Sequence, residues 1–217
     1  MIDAVVFDLD GVLVQSEALW DAARRSVADD AGVAWPHGAT EAMMGMSSTE
    51  WSVYLHDAVG VPLPPDVINA AVVARVRGAY EEAVPWIPGA REAVGRVAAR
   101  WPVAIATSAN REIVDLVVEQ GGWEDTIRVT VSSEEVAAGK PAPDVYLEAV
   151  GRLGVDPRRS AAVEDSTNGL LSASAAGLHV VAIPNDAHPP AQRALEAAAL
   201  VLPSIDALTV EAIERLG

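Results

Sequence analysis

The stretch Ala4-Val5-Val6-Phe7-Asp8-Leu9-Asp10-Gly11-Val12-Leu13-Val14 decides how the rest of the chain is read. A short Val-rich apolar run closed by a glycine reads as a buried strand meeting a turn. Residues two apart on a strand share a face, so Asp8 and Asp10 are expected to point the same way at its carboxyl end. Two carboxylates about 4 Å apart repel by roughly 4 kcal/mol at an effective dielectric near 20. A chain keeps such a pair near its interior only where a cation or a shared proton offsets the cost. On these residues alone, a strand ending in two solvated aspartates is an equally good reading.

Downstream, residues 15–84 show helical spacing and no strand candidate. Ser16 stands where it can cap a helix carrying Leu19, Trp20, Ala23, Val27 and Ala31, which Gly32 ends. A short helical piece is expected near 40–45. Ser47 and Glu50 then form a capping-box pattern ahead of Trp51, Tyr54 and Leu55. The proline-rich break at 60–65 precedes a long helix over about 66–83, and 84–89, with two prolines, reads as a stiff linker. From there strands and helices alternate. Strands are expected at 103–106, 128–131, 160–163 and 179–183, with an edge strand at 200–202. The intervening helices cover 90–100, a segment through Ile113 and Val117, a segment capped by Asp144, and 168–176, and the tail from Pro190 is helical. Alternation without hairpin signals implies parallel crossovers in an open α/β sheet, whose ligands bind beyond the carboxyl ends of the strands.

Composition narrows the function classes. The 217 residues are 51% hydrophobic, enough for a full core in one domain carrying a sizeable insertion. Lys and Arg number 15 against 31 Asp and Glu, a net charge of −16, which argues against a nucleic-acid or anionic-membrane partner. With no cysteine, disulfides, thiolate catalysis and Cys-ligated zinc are excluded. His37, His56, His179 and His188 are isolated and lack metal-ligand spacing. No apolar run approaches the roughly 20 residues that span a bilayer, and no leader pattern precedes the first strand, so a cytoplasmic location is the expectation. A monomer is the default.

The polar groups at the expected strand ends are Asp8 and Asp10, Thr107 and Ser108, Lys140 in a loop, and Glu164 and Asp165. Taken singly, Thr107-Ser108 is a helix cap, Lys140 a solvated loop lysine, and Glu164-Asp165-Ser166 an ordinary loop. Taken together they suggest a site. Four carboxylates converging on one point call for a hard cation, and oxygen-only ligation favours magnesium. A hydroxyl and an ammonium across from that cation would cradle a phosphoryl group, with backbone N–H groups at a helix start adding to the anion site. The set suits phosphoryl transfer through a carboxylate nucleophile.

In this order and spacing the motifs resemble the haloacid dehalogenase superfamily of phosphotransferases. The match runs through D-x-D-G-[VT]-L at 8–13, the strand-end Ser/Thr at Thr107, G-K-P-x-P-D at 139–144 and E-D-S-x-x-G at 164–169. The inserted helical block is similar to the helical cap of the sugar-phosphate phosphatase and β-phosphoglucomutase branch. Ser16-Glu17-Ala18-Leu19-Trp20 is similar to a D-S-E-x-L-W stretch in phosphatases of hexose, hexitol and deoxyhexose phosphates. The resemblance implies an open parallel-sheet, Rossmann-like α/β core over residues 1–14 and 88–217, with an inserted α-helical cap over 15–87 flanked by hinge linkers.

It also implies roles. Asp8 would be the nucleophile that becomes an aspartyl phosphate, and Asp10 the general acid and base. Magnesium would be held by Asp8, the Asp10 backbone carbonyl and Asp165, with Glu164 a ligand or a support behind the ligands. Thr107, Ser108 and Lys140 would bind the phosphoryl group. Within the cap, Glu17, Trp20, Ser47 and Ser48 would meet the substrate. Trp20, Trp35, Trp51 and Trp86 read either as cap packing or as an apolar wall facing a sugar ring. Asp10 points away from dehalogenase chemistry, which in this family lacks an acid there. Gly45-Met46-Ser47-Ser48-Thr49 stands where the mutases carry an arginine that grips a second phosphate, which favours a monophosphate hydrolase; Gln15 stands where an Asp is frequent. The expected function is hydrolysis of a small phosphorylated metabolite, a hexose, deoxyhexose or polyol phosphate. A β-phosphoglucomutase-like phosphomutase, a phosphoglycolate phosphatase and a catalytically silent binding protein are the rivals.

Overall fold

The computed structural model describes residues 1–185 and 188–217. Six parallel strands form one sheet in the order β3-β2-β1-β4-β5-β6: β1 (Ala4–Phe7), β2 (Val103–Thr107), β3 (Ile127–Ser132), β4 (Ser160–Glu164), β5 (His179–Ala182) and β6 (Leu200–Val201). Helices cover both faces, so the central strands are apolar on both sides rather than alternating with polar residues. Val5, Phe7, Ile105 and Val163 join the core on one face. Val6, Ala104, Ala106 and Ala162 join that on the other, under Tyr146, Val150 and Leu170. The chain runs outward from β1 to β2 and β3, then returns to β4 on the opposite side. The strand order therefore reverses at β1, and that reversal opens a crevice beyond its carboxyl end.

Four helices lie between β1 and the sheet's next crossover: α1 (Glu17–Asp30), α2 (Ala39–Ala42), α3 (Ser48–Tyr54) and α4 (Pro65–Glu82). α3 runs on into a π turn at Leu55–Val59, and Pro65 opens α4 at the position where a missing N–H costs nothing. α4 packs on both α1 and α3. The two connections to the sheet run side by side: Gln15 N–H donates to the Pro85 carbonyl (2.8 Å), Ile87 N–H to that of Leu13 (3.0 Å), and Val14 and Trp86 form an antiparallel bridge. Thereafter come α5 (Ala90–Ala98), α6 (Arg111–Gly121), α7 (Asp144–Leu153), α8 (Thr167–Ala175), α9 (Gln192–Leu195) and α10 (Val210–Glu214). None is long and apolar enough to cross a membrane.

Four local expectations need correcting. β1 stops at Phe7, and the chain turns at Gly11 (φ +79°), so Asp8 and Asp10 do not share a strand face. Ser16 precedes α1 but caps nothing, because its hydroxyl is donated to Asp10. Asp144 is the first residue of α7, behind Pro143, rather than its cap. Finally, α6 begins only at Arg111, so Thr107 is the last residue of β2 and Ser108 lies in the loop beyond it rather than at a helix start, and the Thr107 hydroxyl accepts from the Ala109 N–H (3.1 Å). By contrast, the capping box of Ser47 and Glu50 is formed as its spacing foretold.

Candidate active site

The crevice holds a buried cluster of charge. Lys140 Nζ stands 2.8 Å from Asp8 Oδ1 and 2.6 Å from Glu164 Oε1, and all three side chains are almost wholly shielded from solvent. Glu164 also accepts from the Tyr146 hydroxyl (2.9 Å), the Asp165 N–H (3.0 Å), and the Ser166 N–H and hydroxyl (3.2 Å each). Its oxygens are thus committed to bracing Lys140 and the turn that follows β4. That brace sets the nearby glycine: a Cβ on Gly169 would lie 1.7 Å from Glu164 Oε1.

Asp165 is the complement of Glu164. Its Oδ1 is buried without a hydrogen-bond partner, and a Cβ on Gly11 would lie 2.0 Å from its Oδ2. Ligand oxygens of Asp8, Glu164 and Asp165 can all lie within 4.8 Å of one another. Three buried carboxylates against one ammonium leave an excess of negative charge that a protein interior does not hold uncompensated. An all-oxygen donor set with an orphaned carboxylate oxygen fits a hard divalent cation such as magnesium.

Titration behaviour follows from this crowding. Burial first, then the Glu164 charge, pushes Asp8 up to about 8 against the pull of Lys140. Burial, Glu164 and Asp8 likewise raise Asp165 well above the carboxylate range. For Lys140, burial would favour the neutral amine, but Asp8 and Glu164 outweigh it and hold the ammonium above its ordinary range. Asp10 stands apart from the trio. Its Oδ1 accepts from the Ser16 hydroxyl and from Trp20 Nε1 (3.4 Å), and burial raises its pKa more than these two donors lower it. The contacts, rather than the titration, divide the two: Asp8 is paired with a lysine, whereas Asp10 meets only the neutral donors of Ser16 and Trp20, which is the division acid–base work through a carboxylate nucleophile requires.

Above the cluster lies a cavity of about 380 Å³. Asp8, Asp10, Thr107, Ser108, Lys140 and Asp165 line its sheet side, as expected from the strand ends. From α1, Glu17 and Trp20 line the opposite wall, joined by Trp51 of α3. Glu164 lies behind the lining. Ser47 and Ser48, expected to meet the substrate, are not part of it. Ser47 donates to Glu50 Oε2 (2.7 Å) and caps α3, while Ser48 is buried. Of the other cap tryptophans, Trp35 packs under Arg25 (4.8 Å) and Trp86 meets Trp123 edge-on (5.1 Å), so both serve packing. Several lining residues escaped the sequence reading, Asp21, Thr40, Met43, Asn168 and Arg24 among them. Arg24 of α1 reaches the cavity between Trp20 and Trp51. Its signal was a charge four residues after Trp20, on the helix face that the apolar residues define.

Comparison with known proteins agrees with this geometry. The family model for haloacid dehalogenase-like hydrolases matches residues 2–177. Hexitol phosphatase B of Escherichia coli is 31% identical over 187 residues, 83% of each chain. The phosphorylated carbohydrates phosphatase of Thermotoga maritima is 31% identical over 179 residues, 82% of each chain. Among solved structures, CbbY from Rhodobacter sphaeroides in complex with phosphate superposes with a TM-score of 0.87 at 26% identity, covering 99% of this chain and 100% of that one. A β-phosphoglucomutase from Clostridium difficile shares the fold with a TM-score of 0.85 at 20% identity, over 100% and 97% of the two chains. The strand-end cluster, the motif order and these likenesses agree: the chain belongs to the haloacid dehalogenase-like hydrolases and is a phosphoric monoester hydrolase of their sugar-phosphate phosphatase branch.

Proposed function

We propose that the protein is a magnesium-dependent phosphatase that hydrolyses a small phosphorylated metabolite, a hexose, deoxyhexose or polyol phosphate, through an aspartyl phosphate on Asp8. The observation that carries this reading is the contrast between two neighbouring carboxylates: Asp8 lies 2.8 Å from Lys140, whereas Asp10 is held off on Ser16 and Trp20. In this reading residues 1–14 and 88–217 form the catalytic core and 15–87 a cap that closes the cavity and excludes water.

Asp8, Asp165 and the Asp10 backbone carbonyl would hold magnesium, with Glu164 behind them, and the ion would draw charge off the phosphoryl oxygens. Lys140 and Thr107 bind the phosphoryl group and Ser108 flanks it. An Asp8 carboxylate oxygen attacks phosphorus as the ester oxygen leaves, and Asp10 delivers its proton to that oxygen. The metabolite departs as an alcohol. Asp10, now ionised, takes a proton from water as that water attacks the aspartyl phosphate, which releases phosphate and restores Asp8. Names of relatives support the substrate class: a hexitol phosphatase and a phosphorylated carbohydrates phosphatase.

The test is phosphate release from a panel of sugar, polyol and small-acid phosphates, with and without magnesium. Release from hexose or polyol phosphates is expected only with the metal, and Asp10→Asn should lower it by at least about 100-fold. Interconversion of phosphate isomers without release would make the enzyme a mutase instead.

A further inference from the structure

No carboxylate among the described residues pairs with the Arg24 guanidinium. Among the described residues it makes no hydrogen bond or ion pair, and its Nε is buried without a partner. Asp21, one turn before it on α1, is engaged elsewhere: Oδ2 accepts from Arg25 Nε and Oδ1 from the Thr40 hydroxyl, both at 2.6 Å. What holds Arg24 is aromatic. Its Cζ lies 5.6 Å from the Trp20 ring centroid and 5.1 Å from that of Trp51, so two indoles from two helices position one cation at the cavity wall. Burial lowers its pKa to about 10, with Asp21 and Asp10 opposing, and it remains charged at neutral pH.

Its placement relative to the reacting groups is set by one helix. Glu17, Trp20 and Arg24 fall three and four residues apart on α1 and share a face. Trp20 spans the gap, with its N–H on Asp10 and its ring beside Arg24. Glu17, at the other end of this face, has its own partner in His188 Nε2 (3.4 Å). Seven residues of helix separate Glu17 from Arg24 by roughly 10 Å along the axis. Asp8, Lys140 and Arg24 line the same cavity, and the Trp20 side chain lies between Asp10 and the Arg24 guanidinium.

We propose that Arg24 is the specificity-determining residue of this site: it binds a second anionic group, a carboxylate or a phosphate, at the end of the substrate remote from the scissile phosphate. The inference rests on the phosphatase reading for the identity of the reacting end and narrows it from neutral hexose or polyol phosphates to those carrying a second anion. The planar guanidinium, held by stacking with its donors unclaimed, matches both anions in a bidentate way that an ammonium cannot. It also supplies from α1 the charge that Gly45-Met46-Ser47-Ser48-Thr49 lacks. Acting away from the reacting atoms, it contributes to KM rather than to kcat.

Binding to Asp8→Asn protein, with magnesium present, tests this without turnover. Three ligands are titrated by calorimetry: sorbitol 6-phosphate, 6-phosphogluconate and glucose 1,6-bisphosphate. At least one of the two with a charged far end should bind about 10- to 100-fold more tightly than sorbitol 6-phosphate. The tighter of those two identifies the anion as carboxylate or phosphate. Adding Arg24→Met should erase the margin, and Arg24→Lys should restore part of it. Arg24→Gln serves if the Met variant melts early. Equal affinity, or no affinity, for all three ligands would overturn the proposal, as would an Arg24→Met variant that weakens all three alike. A silent phosphate-release assay with this binding margin intact would instead count against the proposed reaction alone.

Discussion

Two carboxylate clusters sit at the carboxyl ends of this sheet, and they are built on opposite principles. After β3, Glu135 accepts from the Ser132 N–H (2.9 Å), from Arg152 Nη1 (2.9 Å) and from Arg111 Nη2. Burial works against its ionisation, but the Ser132 N–H and the two guanidiniums prevail and hold it at about 2. After β1 and β4, three carboxylates share one lysine, and Asp8 is pushed up to about 8. The first cluster has more donors than acidic groups and is finished as it stands. The second is short of positive charge, and that shortfall fits the cation and the phosphoryl group of the proposed reaction.

The sharpest way to break this contrast is to remove the cation from each cluster. Lys140→Met leaves the carboxylates buried and uncompensated and should cost about 3–5 kcal/mol in urea unfolding at neutral pH without metal. Arg152→Met, at the half-exposed cluster, should cost no more than about 1 kcal/mol. A smaller effect comes from adding charge instead of removing it. Magnesium at saturating concentration should raise the melting temperature by several degrees over protein in chelator, because the proposed site gathers Asp8, Glu164 and Asp165 in the folded state alone. Asp165→Asn should lose that increment and Glu135→Gln should keep it. The smallest effect is that of Glu135→Gln itself, about 1 kcal/mol at neutral pH. Its sign is fixed by a folded pKa near 2 lying below the ordinary 4.5. The stabilisation is complete above the ordinary value and fades as pH falls toward the folded one, so wild type and variant should converge in acid. Unfolding curves along a pH series read this directly.

Legibility in the sequence divides along the same physical line. The sheet, the inserted helices and the places of Asp8, Thr107 and Asp165 at strand ends could be read because strand periodicity and turn residues dictate them locally, whereas Lys140, in a loop, stood out only in company with the other motifs. The bracing of Lys140 by Glu164 could not, since those residues are 24 apart in the chain and meet only when β4 pairs with β1. Ser16 looked like a cap because Ser before an amphipathic helix usually is one; Asp10 outcompetes the backbone for its hydroxyl. Ser47 carried two signals, a capping box and a place in the cap, and the local one prevailed. Arg24 was overlooked for a different reason. A lone arginine on an amphipathic helix reads as a solvated surface charge, and only the approach of Trp51 from α3 turns it into a cavity wall.

The bridge between Val14 and Trp86 has a consequence for the history of such a chain. The polypeptide leaves the sheet and comes back at adjacent points, so whatever lies between begins and ends in the same place. For the sheet, closing that detour costs entropy that grows only with the logarithm of its length. Insertions can lengthen, shorten or replace the helices without disturbing the register of β1 against its neighbours. In the proposed reading, substrate preference can then change by exchange of a module, while Asp8, Asp10 and Lys140 stay in a frame that does not register the exchange.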